Sequence, residues 1–392
     1  MNEELSEVDR LVKAFLSTLA IIITIGMIMV WSASFILASE KFGTSLHYIN
    51  RQITFLFLSI SVAFVVSKTK YNFWIKFGYW INIAASLIVA LTIVKGVGSA
   101  AKGASRWLTY GGFSIQPGEI VKFTVILSAL SFFENWNKLE TKERLKHGAS
   151  LLLPLALLVK QPDFGSFSIC FMVISFVCFM SSFPRKYFYY SLVTGGIGGV
   201  FILFSQAYRV KRLLVFLDPW KNPQGSGFQI IQSYMAFANG SALGQGLGNS
   251  NEKLFYLPEA HNDFIFSVIG EELGFVGVFV MICLFIAFIY FGFKLVLQVK
   301  DRIGIILGSA IVFVLGLQSL LNMGVVLGLL PTKGLNLPFV SYGGSSLICN
   351  FFGIGLLLSV VKGYRDQLQG EIAPSVKTPR SSVKSSTEEV YS

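Results

Sequence analysis

Charge is what this sequence has least of. Only 14% of its 392 residues are Asp, Glu, Lys or Arg, against 53% hydrophobic residues, and the mean hydropathy is +0.65. No soluble domain of this size needs so much apolar surface, whereas a polytopic membrane protein does. Cysteine is equally scarce: Cys170, Cys178, Cys283 and Cys349 all fall within apolar runs, with neither disulfide nor metal spacing. They read as small packing residues, which argues against a disulfide framework or a zinc centre. No nucleophilic Ser–His arrangement and no P-loop is visible. The glycines at Gly244, Gly246 and Gly248 lack the spacing and the strand–helix setting of a dinucleotide fingerprint. A cleaved signal peptide is also missing, because the first apolar run is too long for one and follows an acidic start, Asn2-Glu3-Glu4. There is no internal repeat, which weakens the case for an inverted-repeat transporter.

What is present is a series of apolar runs. The sequence predicts an all-α integral membrane protein with about ten transmembrane helices, near 14–38, 52–67, 77–94, 117–134, 147–159, 165–183, 187–207, 264–293, 303–328 and 345–361. Lys and Arg concentrate in alternate connections, among them Lys138, Lys142, Arg144, Lys146, Arg185, Lys186, Lys300 and Arg302, which predicts that both termini are cytoplasmic. The long segment 208–262, between the seventh and eighth runs, is then an extracytoplasmic loop. Residues 1–13 form a cytoplasmic N-terminal segment, 14–365 the membrane domain, and 366–392 a tail rich in Ser, Thr and charge that is expected to be disordered. The net charge of +11 reflects inside loops facing anionic headgroups. Nucleic acid is a poor partner, since no soluble basic domain exists to carry it.

Three Gly-rich segments, 95–116, 208–262 and 329–344, fall on the same outer face under this topology. Irregular backbone at membrane depth is tolerated only where it lines a buried or wet cavity, so their convergence marks an outward-facing site. The first carries Arg106, whose fork suits a phosphate, and Trp107, suited to an interface; both also fit an anchoring belt. Glu119 and Lys122 stand i, i+3 on a helix, the spacing of a neutralising pair. Asp163 is a plausible helix N-cap. Arg209, Lys211 and Arg212 suit either a diphosphate or lipid headgroups.

The sharpest feature is Asp263, where the long loop meets an apolar run. An ionisable group at a membrane boundary is costly unless solvated or paired. A reactive carboxylate facing both water and lipid suits a substrate with a polar head and a greasy tail. Glu259 and His261 are close enough in sequence to tune its proton affinity. Glu271 and Glu272 lie about 12–13 Å further along a continuous helix, too far for a close dyad, and are expected to support the bundle by pairing with basic groups. The competing reading of Asp263 is a helix N-cap.

Taken in order, five segments resemble the SEDS family (shape, elongation, division and sporulation) of bacterial cell-wall polymerases. They are Gly103-Ala104-Ser105-Arg106-Trp107, Gln161-Pro162-Asp163, Gly244 to Ser250, Pro258 to Phe266, and Leu337 to Ser346, which contains Ser341 and Ser345. The likeness spans roughly residues 10–365, and Asp218-Pro219-Trp220 with Pro258-Glu259-Ala260-His261 favours the division branch over the elongation branch. The resemblance implies a glycosyltransferase that polymerises lipid II into glycan strands, with Asp263 as the essential carboxylate. It also implies a class B penicillin-binding protein as transpeptidase partner, other divisome membrane proteins, and the bacterial plasma membrane at the septum. Lys102, Arg106, Arg209, Arg212 and Lys333 are the pool for diphosphate binding, with Trp107 beside them. Glu259, His261, Glu119, Lys122, Ser341 and Ser345 are supporting residues. A divalent cation (Mg2+ or Mn2+) could assist at the diphosphate, but no dedicated ligand set is visible. Three positions depart from the family pattern. Gly118 replaces a usual Ser, Ser241 the second of a Gly pair, and Asn262 the Thr before the catalytic acid. A lipid-precursor transporter and a non-catalytic divisome scaffold are the alternatives.

Overall fold

In hydrocarbon a backbone must satisfy its own N–H and C=O groups, and the apolar runs accordingly become helices. The computed structural model describes residues 2–94, 99–101, 104–110, 113–205, 207–225, 227–250, 260–332 and 334–375. The helices are α1 (Asn2–Phe42), α2 (His47–Lys68), α3 (Tyr71–Lys76), α4 (Gly78–Ile93), α5 (Pro117–Glu134), α6 (Thr141–Lys160) and α7 (Phe164–Met180). They continue as α8 (Arg185–Phe204), α9 (Ala207–Leu217), α10 (Phe228–Gly240), α11 (Ile265–Val296), α12 (Arg302–Val326) and α13 (Gly344–Ser375). Among the described residues, six (α1, α2, α8, α11, α12 and the first 27 residues of α13) are long and apolar enough to cross a membrane. The 16-residue α4 and 17-residue α7 are apolar but shorter.

α5 is buried almost all round, from Val121 to Leu130 without interruption, as expected of a helix with no polar face at the centre of a bundle. It packs against α4, α7, α12 and α13, while α1 packs on α11 and α2 runs along α13. α8 has no buried residue and sits at the periphery.

Three expectations are corrected. The protein is not purely helical: β1 (Ser99–Ala101), β2 (Ala104–Tyr110) and β3 (Phe113–Ile115) form an antiparallel meander in the order β1-β2-β3. Leu108 pairs with Ile115 and Tyr110 with Phe113. A period of two is hard to see in so short a stretch, and β2 carries Arg106 and Trp107. The segment 208–262 is not simply loop, because α9, α10 and a 3-10 turn at Pro219–Lys221 lie within or overlap it.

The third correction is that α11 is not continuous. Gly274 sits at φ +66°, ψ −166°, and the chain at 241–246 crosses the helix there. Backbone N–H groups of Gln245 and Gly246 donate to the carbonyls of Glu271 and Glu272 (2.9 and 3.0 Å). Those of Phe275 and Val276 donate to Ser241 and Ala242 (2.9 and 3.2 Å). This short ladder replaces the helical bonds that the break removes. A Cβ on Gly274 would lie 2.3 Å from the Gly244 nitrogen, so the crossing needs glycine.

Candidate active site

The Asp263 turn is built from its backbone outward. Residues 260–264 form a turn before α11, whose N-cap is Phe264, so Asp263 stands outside the helix instead of capping it. Consecutive carbonyls of this turn are each held by a different donor. Tyr342 N donates to His261 O (2.9 Å), Ser341 Oγ to Asn262 O (2.7 Å), and Asn322 Nδ2 to Asp263 O (2.9 Å). Ser267 then returns both its N–H and its hydroxyl to Phe264 O (3.0 and 2.7 Å). A backbone pinned at four successive carbonyls fixes where the Asp263 Cα and Cβ stand, a condition that positioned catalysis demands.

The partly exposed carboxylate faces the segment after α12. A Cβ built on Gly334 would stand 3.0 Å from Asp263 Oδ2, so a larger residue there would crowd the acid. That segment is fixed in turn by polar side chains from the bundle. Asn322 Nδ2 also donates to Leu335 O (2.5 Å), and Gln318 Nε2 to Asn336 O (2.9 Å). Lys122 Nζ donates to Gln318 Oε1 (2.7 Å) and pairs with Glu119 Oε2 (2.7 Å). Lys122 is fully buried and Glu119 is 2% exposed. The pair therefore does more than neutralise itself: through Gln318 it braces the wall opposite Asp263.

Ser341 has a second task, accepting from Leu337 N (2.8 Å), while Gln52 Nε2 donates to Ser341 O (3.3 Å). His261 is buried, its ring 4.8 Å from that of Tyr48 and 5.6 Å from that of Tyr342. Ser345 Oγ donates to Ser114 O (3.0 Å) and accepts from Gln116 N (3.2 Å), tying the sheet to the start of α13.

The proposed cations divide. Arg106 Nη2 donates to Pro162 O (2.5 Å), which docks β2 on the α6–α7 connection, with Trp107 beside it and partly buried. Arg212 Nη1 donates to Thr332 O (3.3 Å), two residues before Gly334, so Arg212 and Asp263 approach the same short segment. Arg209 is buried, donating to Ile202 O (2.6 Å) and Val159 O (3.5 Å) with its guanidinium over Phe164. Lys102, Glu259 and Lys333 lie outside the described residues. Among the described residues, no group of three or more His, Cys, Asp and Glu could hold a metal ion.

Asp163 caps α7, accepting from Ser166 N (3.2 Å) and Ser166 Oγ (2.8 Å). This cap accounts for Gly118, since a Cβ there would sit 2.9 Å from Ser166 Oγ and 3.1 Å from Asp163 Oδ2. Ser241 adopts φ +48°, ψ −140°, a conformation that glycine takes far more easily. The buried Glu271 and Glu272 accept from the hydroxyls of Ser250 and Ser32, respectively.

Sequence reasoning missed Gln52, Gln318 and Asn322. The signal was available in part: Gln318 and Asn322 are i, i+4 amides on an otherwise apolar helix, and polar side chains inside a membrane segment tend to be functional.

The chain resembles known proteins over most of its length. The family described as "Cell cycle protein", comprising FtsW, RodA and SpoVE, matches residues 12–366. A "Probable peptidoglycan glycosyltransferase FtsW" from Geobacter metallireducens is 39% identical over 359 residues, covering 91% of this chain and 96% of the relative. A chain from a solved peptidoglycan synthase complex, described as coordinating polymerization and crosslinking, superposes with a TM-score of 0.72 at 29% identity, covering 90% of this chain and 98% of that one. The crystal structure of an Asp-to-Ala variant of Thermus thermophilus Rod shape determining protein RodA gives 0.66 at 25% identity, covering 90% and 97%.

Proposed function

The chain belongs to the FtsW, RodA and SpoVE family, and from that premise we propose that it is a peptidoglycan glycosyltransferase of the FtsW type, polymerising lipid II with Asp263 as general base. The observation that carries the reading is the carboxylate at a turn whose carbonyls are held one by one, facing a segment that Arg212 also reaches.

The chemistry follows. The acceptor sugar's 4-hydroxyl loses its proton to Asp263 as its oxygen bonds to the donor's anomeric carbon. The bond from that carbon to the lipid diphosphate breaks, and the diphosphate leaves with the electron pair. Fixed cations lower the energy of that developing charge. Arg212 is the described cation best supported for this role, and Lys102 and Lys333 stay in the pool on sequence grounds; Arg106 holds the sheet that frames the site. Arg209, engaged with two carbonyls, is better read as an anchor for α9.

In this account about ten helices span the bacterial plasma membrane, both termini are cytoplasmic, and Asp263 faces outward with the 208–262 segment. The membrane domain runs over 14–365, flanked by a cytoplasmic segment 1–13 and a tail 366–392. A class B penicillin-binding protein crosslinks the emerging strand, and the setting is the division septum among other divisome proteins.

Purified protein supplied with lipid II, with and without a cognate class B transpeptidase, tests the reading. Glycan strands under either condition support it. Lipid II movement across vesicles with no strand formed would favour a transporter, and neither outcome would leave a scaffold.

A further inference from the structure

The end of the bundle opposite Asp263 holds a cleft that none of the candidate active-site residues lines. α2 finishes there and α12 begins, alongside the 359–367 stretch of α13; Tyr71 on α3 reaches Asp301, and Arg365 pairs with Asp9 (3.1 Å). Between these ends lies a cavity of about 530 Å3, rimmed by Lys68, Lys70 and Lys362 and floored by Tyr71, Asp301 and Ser359.

The floor is prearranged. Ser359 Oγ donates to Thr69 O, and Tyr71 OH donates to Asp301 Oδ2 (2.7 Å). Burial, reinforced by the neighbouring Asp301 carboxylate, pushes the Tyr71 phenol above its ordinary range, so it stays protonated and donating. Asp301 also caps α12, accepting from Gly304 N (2.8 Å), so its charge is already met by a helix N-terminus and a phenol. Asp366, on the rim, is the other acid lining the cleft. Against these stand three lysines, with Lys300 close by, its ammonium 5.9 Å from the Tyr364 ring. Among the described residues, no ion pair or hydrogen bond engages the amino group of Lys70 or Lys362.

Depth identifies the ligand. The apolar run of α2 ends at Lys68, and Trp74 donates its indole N–H to Thr69 Oγ1 (2.7 Å) beside Tyr71 and Tyr364. Aromatic side chains with one polar end mark the headgroup level of a bilayer, and basic pockets between membrane helices at that level take anionic headgroups. We propose that this cleft binds the phosphate group of an anionic phospholipid, using Lys70 and Lys362 as its cations above a floor whose Tyr71 and Ser359 protons are committed to Asp301 and Thr69. A free phosphate shares this chemistry, but the aromatic collar favours the lipid-borne form.

The test uses the full-length protein in phosphatidylcholine nanodiscs carrying a minor fraction of phosphatidylglycerol, with co-purifying lipid read by native mass spectrometry. The double variant K70Q/K362Q is compared with K142Q/K146Q, which removes two exposed lysines of α6 that do not line the cleft. At about five-fold per lysine, phosphatidylglycerol retention is expected to fall roughly ten- to thirty-fold in K70Q/K362Q while K142Q/K146Q stays close to the native protein. Equal losses in both variants, or no loss in either, would overturn the site. Displacement of the lipid by millimolar inorganic phosphate would overturn its lipid-borne source.

Discussion

A carboxylate becomes a base for one particular hydroxyl only if it is held where that hydroxyl arrives, and Asp263 is held by its neighbours' backbone. The donors are Tyr342, Ser341 and Asn322, drawn from segments far apart in sequence. Asn262 is compatible with this arrangement, because its carbonyl accepts from Ser341 Oγ and any residue supplies a carbonyl. Ser241 is a different kind of departure. At φ +48°, ψ −140° its side chain costs free energy that glycine does not. The S241G protein should therefore be more stable by about 1 kcal/mol, visible as a raised thermal unfolding midpoint in detergent. A midpoint that does not move, or falls, would mean that the backbone there is not strained.

At the scale of elements, α12 is the brace and α5 its anchor. Asn322 holds both the Asp263 and Leu335 carbonyls, while Gln318 links Asn336 to the Glu119–Lys122 pair. Misplacing a reacting group by about 1 Å costs roughly 100-fold. N322A should accordingly lower kcat for lipid II polymerisation by about 10- to 100-fold, with KM nearly unchanged, because no substrate contact is removed. A rise in KM with kcat intact would place Asn322 in binding instead. The Glu119–Lys122 pair makes a stability prediction. Removing one member leaves the other buried and uncompensated, a loss of about 3–5 kcal/mol. K122M alone should thus lower the unfolding midpoint further than the E119L/K122M double variant does. Equal midpoints would show that the pair is not coupled.

At the scale of the molecule, two ends of one bundle carry different chemistry, with Asp263 at one and the lysine-rimmed cleft at the other. Much of this was legible. The runs 117–134 and 303–328 coincide almost to the residue with α5 and α12, because apolar runs this long allow few alternatives to a helix in a membrane. Asp263, Glu119 and Lys122 stood out because charge is rare in such runs. The rest depended on contacts between distant segments, which no local pattern encodes. The meander at β1–β3 is short and held by Ser345. The break in α11 exists because the chain at 241–246 supplies hydrogen bonds that helix 265–296 gives up at Gly274. Arg209 suits a diphosphate or lipid headgroups by sequence, and its carbonyl partners at Ile202 and Val159 lie on segments that no local pattern connects to it.

The most direct measurement is glycan strand formation from lipid II by native protein and by D263N, each supplied with a class B transpeptidase and each shown to be folded by its unfolding midpoint. Loss of a general base typically removes about 100- to 10,000-fold in rate, so D263N should give almost no polymer at an unchanged midpoint. Polymer at the native rate from folded D263N would contradict the account, because the carboxylate that the turn, α12 and the Gly334 segment converge upon would then take no part in the reaction.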